Sequence, residues 1–363
     1  MNRNIDEMDF DELMNQALRL PDGDAKLAVL EQAARVADMC QDIEQGFVAR
    51  EKIVELCTFS GHPLKALVAF SWLVGMKDKY PELLGDYSLL WKYKYILGYI
   101  TTFPEINRTQ IENLLEDMRV RFASEGYSGR TYYDYKFSIL VDMGNIEEGL
   151  KCFELVQSME RDAMSNCRAC EQGDRVNVQG LLGNDEALLE AAEPILTEKL
   201  KCHSSLQVNI SRVLMPLLRL GRKEEADEWQ RKGYRLIKGS REYLHQIALH
   251  IEYLTYTDPI KALEIFEENV FYLSNHENPE DIMYFSALAS ALFSRLTREN
   301  IQFDVRFPVD HPCAHLNHDV AALGQYYKDY AMDYAYKYDQ RNGNNYCSLK
   351  IEKLSQFTEL NKD

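Results

Sequence analysis

The sequence predicts an all-α chain of stacked helical hairpins, and three observations support that fold class. With 18 glycines and 10 prolines in 363 residues, there is little room for long loops. Hydrophobic residues make up 46% of the chain, which is enough for a continuous core. Short turn signals also return at nearly constant spacing, as expected of a helical repeat. A chain of this length fits two domains or one elongated array.

The turn signal is a glycine or aspartate that is followed, within five residues, by an alanine or glycine. Its copies begin at Gly61, Gly144, Gly183, Gly221 and Asp258. The last three steps are 39, 38 and 37 residues, and the first is 83, about twice as long. One more unit is therefore predicted between the first two copies, near residues 103–105 and the helical run 111–122. The segment Pro21-Asp22-Gly23-Asp24 lies one further period upstream.

Each signal has a physical reading as the middle of a helical hairpin. Glycine ends the first helix in a left-handed cap, and the acids after it lie where the next helix dipole favours negative charge. A single hairpin would leave an apolar face in water, so the units are predicted to stack. We expect a solenoid over residues 1–300, followed in the same array by a histidine-containing loop and capping helices over 301–363.

The pattern resembles tetratricopeptide repeats, whose typical unit of about 34 residues is somewhat shorter. The segments Cys167-Arg168-Ala169-Cys170, Gly183-Asn184-Asp185-Glu186-Ala187, Cys202 and Asp339-Gln340-Arg341-Asn342-Gly343 narrow the likeness. Over about 130–345 the chain resembles a bacterial tetratricopeptide-like family without a settled activity. The resemblance implies a right-handed α-α superhelix that binds a protein or peptide.

The composition also restricts the partners. The formal charge is −17, with 58 acids against 41 bases, so a nucleic-acid backbone would be repelled and a basic peptide or protein would be favoured. Solubility alone is the simpler explanation of that charge. We find no signal peptide and no apolar run of the roughly 18 residues that would span a membrane. The eight cysteines are most simply free thiols, and a cytoplasmic location is expected.

Three cysteines are predicted to lie together. Cys167 and Cys170 are three residues apart, and Cys202 follows 32 residues after Cys170. The helices predicted over 168–182 and 185–201 have nearly equal lengths, so the chain should bring Cys202 back to the end that holds the other two. Three thiols are most of a structural zinc site.

The fourth zinc ligand is hypothesised to be His245, which begins a helix two elements later. His203 and Glu171 remain open as alternatives. Three buried cysteines that act as small hydrophobic residues would explain the pattern without a metal, and a redox pair of Cys167 and Cys170 is a third reading.

Two neighbouring helices carry aromatic residues at helical spacing. Steps of four residues place side chains along one stripe of a helix, which could line the groove of a repeat protein. Core packing is the other interpretation of the same stripe. The hypothesised partner-binding residues are Tyr87, Trp91 and Tyr95, which Tyr99 continues, together with Tyr132 and Tyr135.

The C-terminal part has two further motifs. A second stripe of tyrosines, predicted to seal the end of the array, lies on a helix expected over 318–340. The loop before it could bind a transition metal, although an irregular polar connection is favoured. The stripe comprises Tyr326, Tyr330, Tyr334 and Tyr338, and the loop contains His311, Cys313, His315 and His318.

The sequence lacks the common catalytic signatures: a phosphate-binding glycine loop, a dinucleotide fingerprint, His-Glu-x-x-His and Gly-x-Ser-x-Gly. A binding scaffold without catalytic activity is therefore the leading hypothesis. A peptide-responsive regulator that acts on a protein target is the second. The third is a zinc- or thiol-dependent enzyme that uses Cys167, Cys170 and Cys202.

Overall fold

The computed structural model describes residues 9–60, 62–82, 86–301 and 304–359. These ranges contain seventeen α-helices and no β-strand, which confirms the all-α prediction. Gly61, where the first turn signal begins, lies outside the described residues, as do residues 1–8. No described helix is both long and apolar enough to cross a lipid bilayer.

The first eight helices are α1 (Phe10–Arg19), α2 (Asp24–Met39), α3 (Ile43–Phe59), α4 (Pro63–Lys79), α5 (Asp86–Leu97), α6 (Arg108–Ser124), α7 (Arg130–Asp142) and α8 (Ile146–Ser158). The other nine are α9 (Arg168–Leu181), α10 (Asp185–Leu196), α11 (Ser205–Arg219), α12 (Lys223–Ile237), α13 (Leu244–Thr257), α14 (Pro259–Asn269), α15 (Pro279–Arg298), α16 (Val320–Asn342) and α17 (Tyr346–Leu354).

The helices form two compact units. The first unit comprises Met1–Ile139 and Cys152–Met164, and the second comprises Leu140–Lys151 and Ser165–Asp363. The boundary passes through α7 and α8, so each of these helices contributes to both units. The solenoid expected over residues 1–300, with its loop and capping helices over 301–363, stays a prediction.

In the first unit, each of α1 to α5 packs on the next helix in sequence, and α3 also contacts α5. Apolar side chains such as Leu30, Phe70 and Phe122 are almost fully buried between these helices. The ring of Phe70 meets that of Tyr93 edge-on, with centroids 4.8 Å apart. This packing holds α5 against its neighbours and fixes the direction of its remaining side chains.

The second unit has two sets of helices. α9, α11, α13, α15 and α17 each contact the next member of that set, while α10, α12, α14 and α16 alternate with them along the chain. Phe266 of α14 lies at the centre of the core, with its ring centroid 5.1 Å from that of Phe293 and 5.4 Å from that of Tyr327. We call α9, α11, α13, α15 and α17 the inner helices.

The predicted turns separate helices as expected. Gly144, Gly183 and Gly221 have left-handed backbone φ values of 81°, 68° and 73°. The turn at Asp258 has no glycine. The Asp258 carboxylate instead caps the N-terminus of α14, since it accepts a hydrogen bond from the backbone N–H of Lys261 at 3.1 Å. The hairpin prediction is therefore confirmed at these four turns.

At the C-terminal end, α16 matches the predicted helix and ends at Gly343, whose φ is 72°. Tyr338 is buried, and the other tyrosines of its stripe pack partly buried against the core. The histidine loop is an irregular polar connection: His318 Nδ1 lies 2.6 Å from Asp304 Oδ1, and His315 Nδ1 lies 3.0 Å from the Pro312 carbonyl oxygen. These contacts fit the favoured interpretation of that loop as an irregular polar connection.

Candidate functional site

The first candidate site is a cluster of three thiols, which forms at one end of the α9–α10 hairpin. Cys167 is the N-cap of α9, and its Sγ accepts a hydrogen bond from the backbone N–H of Cys170 at 3.4 Å. Cys202 lies in the connection between α10 and α11, where its N–H donates to Ser205 Oγ at 3.0 Å. The predicted return of the chain to this end is confirmed.

The thiol spacing suits a tetrahedral metal. The Sγ atoms of Cys167 and Cys170 are 3.4 Å apart, and those of Cys170 and Cys202 are 3.7 Å apart. All three sulfur atoms lie within 4.8 Å of one another. A tetrahedral zinc with bonds of about 2.3 Å places its sulfur ligands about 3.8 Å apart. The three thiols could therefore hold a metal ion with little rearrangement.

Electrostatics explain why a cation would suit this cluster. Burial and the neighbouring thiols raise the pKa of Cys170, and they also raise the pKa of Cys202. At Cys167, burial acts in the same direction, but hydrogen bonds from the Cys170 backbone and side chain outweigh it and leave the pKa lowered. Three thiolates would repel one another at these distances, and a bound cation would remove that obstacle.

The second helix of this hairpin is shorter than predicted. It ends at Leu196 rather than near Lys201, and residues 197–204 form the connection to α11. Pro194 removes a backbone donor in the last turn, and Glu198 adopts a left-handed φ of 58°. Cys202 therefore reaches the cluster from a loop, which lets its sulfur turn toward the other two.

The structure does not place His245 among the ligand atoms of this cluster. α11 lies between α9 and α13 in the series of inner helices, since it contacts both. Two helix spacings of 8–10 Å put α13 about 16–20 Å from α9, far beyond a metal–ligand bond. His245 instead faces α15: its Nδ1 lies 3.9 Å from Asp281 Oδ1, and its ring centroid lies 4.6 Å from that of Tyr284.

The alternative fourth ligands also fall outside the cluster. Among the described residues, neither His203, Glu171 nor any other histidine or carboxylate offers a ligand atom within the same 4.8 Å group. A metal here would have three protein thiolates and a fourth position that water or another molecule could occupy. Such an open position is more typical of catalytic than of structural zinc.

The second candidate site is the aromatic row on α5 and α7, within the first unit. Tyr87 is 54% exposed, and its ring stacks on that of Trp91 with centroids 6.1 Å apart. Trp91 Nε1 donates to Tyr95 Oη at 3.0 Å, so the three side chains form a continuous ladder. The predicted stripe on α5 therefore reaches solvent at its N-terminal end.

The row on α7 lies close to the end of α5. A Cβ atom added at Gly98, one residue past α5, would lie 4.0 Å from the ring of Tyr135. Tyr132 is partly buried and packs edge-on against Tyr133, with ring centroids 5.1 Å apart. Both hypothesised groups therefore belong to neighbouring parts of one unit, and each is only partly buried.

A third group was not found from the sequence. Arg212 of α11, His245 of α13, Glu280 and Tyr284 of α15, and Lys350 of α17 all lie on inner helices of the second unit. The sequence offered one signal for it, because Arg212 is the one charged residue within the otherwise uncharged stretch 205–218 of α11. A charged side chain in such a stretch is unfavourable in an apolar core unless it is paired.

Neither a family model nor a curated protein matches this chain. The case for a function therefore rests on the geometry of these three groups.

Proposed function

We propose that this chain is a tetratricopeptide-like scaffold that binds a protein or peptide, with its helix pairs wound into a right-handed superhelix. The observation that supports it most directly is the aromatic ladder of Tyr87, Trp91 and Tyr95. Tyrosine and tryptophan are the residues most enriched among the energetic hot spots of protein interfaces. In a core they would be covered, whereas Tyr87 is 54% exposed.

The ladder is held rigidly, which favours recognition. The ammonium of Lys94 lies 3.6 Å from the centre of the Trp91 ring and donates to the Met164 carbonyl oxygen at 2.9 Å. Thr131 of α7 donates to the same oxygen at 3.0 Å. A preorganised aromatic surface loses little side-chain entropy when a partner docks. The formal charge of −17 favours a basic protein or peptide over nucleic acid as the partner.

Affinity capture from a cell lysate tests this proposal. Trp91→Ala and Tyr135→Ala should each lose the proteins that the unaltered chain retains. Tyr336→Ala is the matched control, because Tyr336 is 60% exposed on α16 of the second unit. Capture of the same proteins by all three variants, with circular dichroism unchanged, would remove the aromatic row as a partner-binding surface.

The thiol cluster has a separate role in this proposal, as a structural zinc site of Cys167, Cys170 and Cys202. Metal analysis of the purified chain should find about one equivalent of zinc. Cys170→Ser should lose it, whereas Cys40→Ser should keep it, because Cys40 is an exposed free cysteine outside the cluster. Equal metal content in the two variants would contradict the assignment.

No fourth protein ligand joins the three thiols among the described residues, and this favours a second candidate function, a zinc- or thiol-dependent enzyme. Removal of the metal with a chelator distinguishes the structural role from the catalytic one. A structural site should lose helical content or melting temperature when the metal is removed, whereas a catalytic site should keep both and lose only its reactivity. In the regulatory version of the scaffold, ligand binding would in addition change the scattering radius of the chain.

A further inference from the structure

Polar side chains from four inner helices of the second unit meet on one surface. Lys350 Nζ of α17 donates to Tyr284 Oη of α15 at 2.5 Å and lies 4.9 Å from the centre of that ring. The His245 ring of α13 lies 4.6 Å from the same tyrosine ring. Arg212 lies on α11, which packs against α13, and its charge contributes to the lowered pKa of His245. We call Arg212, His245, Glu280, Tyr284 and Lys350 the polar cluster.

Arg212 has no ionic partner at contact distance. Within the described ranges its one hydrogen bond runs from Nη1 to the Gly173 carbonyl oxygen, and at 3.5 Å it is long. Among the described residues, no carboxylate oxygen comes within 4.0 Å of its guanidinium. Burial lowers the pKa of Arg212, and the more distant Asp174 and Asp142 offset only part of that effect. A cation kept in such a place without a partner destabilises the fold.

Lys350 is exposed, unlike the partly buried Arg212, but it also has no carboxylate partner among the described residues. In the part of the chain that the structure describes, its ammonium bonds to the Tyr284 phenol and to no carboxylate within 4.0 Å. Burial works against its charge, but Tyr284, Tyr346 and Glu280 outweigh it, and the pKa of Lys350 is raised. Lys350 therefore stays charged while its side chain still reaches solvent.

The other members of the polar cluster add little negative charge at neutral pH. Burial, with Asp142 and Asp281, raises the pKa of Glu280 to about 8, so its carboxyl group is largely protonated and can donate a hydrogen bond. Burial, with Lys350 and Arg212 and against Asp281, lowers the pKa of His245 to about 4. Asp281, which acts on both groups, has its Oδ2 2.8 Å from His276 Nε2.

We propose that Arg212 and Lys350 bind a small ligand with two negative charges on oxygen, either a phosphoryl group or a pair of carboxylates. The free edge of the guanidinium can donate two parallel hydrogen bonds to one oxyanion. The ammonium provides a second positive charge, and Tyr284 and protonated Glu280 are further donors. This site lies in the second unit, so it goes beyond the protein-binding role proposed for the aromatic row of the first.

Stability alone does not explain the two cations. α11 is otherwise uncharged over residues 205–218, and Ile210, Val213 and Leu214 beside Arg212 are fully buried. A leucine or methionine at 212 would fit such a helix without leaving a charge unpaired. Uncompensated polar groups of this kind are typical of sites that a ligand completes.

Calorimetric titration of the full chain with inorganic phosphate and, separately, with succinate tests the proposal, with sodium chloride at matched ionic strength as the blank. Arg212→Gln and Lys350→Gln should each weaken the affinity about tenfold or more, since each removes charge-assisted hydrogen bonds. Arg235→Gln is the matched control for the first, because Arg235 donates only to the Arg231 carbonyl oxygen. Lys337→Gln is the control for the second, because Lys337 also lies over a tyrosine ring, at 4.9 Å.

Binding of phosphate alone would identify a phosphoryl ligand, and binding of succinate alone would identify two carboxylates. Binding of neither anion above the chloride blank would overturn the proposal. Equal losses in the Arg235 and Lys337 variants would do the same, because they would show a nonspecific charge effect. An Arg212→Gln chain that does not fold, judged by circular dichroism, would also count against it, because Arg212 would then have a structural role.

Discussion

Lys94 in the first unit and Arg212 in the second are both cations on helices that pack within their unit, yet their surroundings differ. Lys94 is 4% exposed and donates a short hydrogen bond of 2.9 Å to the Met164 carbonyl oxygen, with the Trp91 ring against its ammonium. Arg212 has a single hydrogen bond, of 3.5 Å, to the part of the chain that the structure describes. The fold satisfies the first charge and leaves the second incomplete. A satisfied charge belongs to the architecture, whereas an incomplete one indicates a binding site.

The surfaces around Lys94 and Arg212 also differ in whether their polar groups already have partners. In the aromatic row around Lys94, the Trp91 indole N–H and the Tyr95 hydroxyl already have each other as partners, so the row offers a partner mainly apolar area. The polar cluster around Arg212 offers charge and hydrogen-bond donors. We therefore expect the first unit to bind by burial of apolar surface and the second unit by compensation of charge.

The largest expected effect concerns the turn that borders the polar cluster. Gly144→Ala would place a Cβ atom 2.5 Å from Tyr346 Cβ, at a residue whose φ is 81°. Left-handed backbone and overpacking together should lower the free energy of unfolding by about 2–5 kcal/mol. Urea unfolding of the purified variant measures this loss.

Gly221→Ala provides the matched control for that substitution. Gly221 has a similar φ of 73°, but a Cβ atom there would meet nothing within 4 Å. Its cost should be the backbone strain alone, about 1–2 kcal/mol. If the two variants unfold at the same urea concentration, the contact between the α7–α8 turn and Tyr346 does not stabilise the second unit.

The next prediction addresses the two cations directly. Lys94→Met should lower the free energy of unfolding by about 1–3 kcal/mol, because it removes a charge-assisted hydrogen bond and a cation–π contact. Arg212→Met should leave stability unchanged or raise it, because it removes a charge without an ionic partner. Chemical denaturation of both variants gives the answer. A larger loss of unfolding free energy in Arg212→Met than in Lys94→Met would contradict this prediction.

The smallest effect is a pH dependence. The pKa of Glu280 is raised to about 8 from its ordinary 4.5, so the folded chain retains a proton that the unfolded chain has released. Stability should therefore fall as pH rises between those values, and Glu280→Gln should flatten that slope. We expect a modest change, because the carboxyl group is only partly buried.

Thermal unfolding between pH 6.5 and 8 is the measurement. The unfolded chain still releases a proton from His245 near its ordinary pKa of 6.5, but the Glu280 variant retains His245, so the difference between the two slopes reports Glu280. The charged groups that face Glu280 are Asp142, Asp281, Lys350 and Arg341, and both variants retain them. Glu264→Gln, on the exposed side of α14, should leave the slope as it is in the unaltered chain. An equal slope in the Glu280 variant would refute the assignment.

The repeat spacing and the thiol hairpin could be predicted because both depend on local rules. A glycine at a left-handed turn and helices of nearly equal length suffice to bring Cys202 toward Cys167 and Cys170. The fourth ligand could not be found in this way. The position of His245 relative to the thiols depends on how α9, α11 and α13 follow one another in the packed unit, and sequence spacing does not contain that information.

By itself, the sequence determined the all-α class, the turns at Gly144, Gly183, Gly221 and Asp258, and the identity of three thiols at one hairpin end. These features follow from backbone preferences and helix length, which act over a few residues to a few tens of residues. Only the tertiary structure decided which side chains of α11, α13, α15 and α17 face one another. Whether a charged side chain has a partner depends on contacts between residues that can be well over a hundred positions apart in the sequence. The packing of the helices sets those contacts.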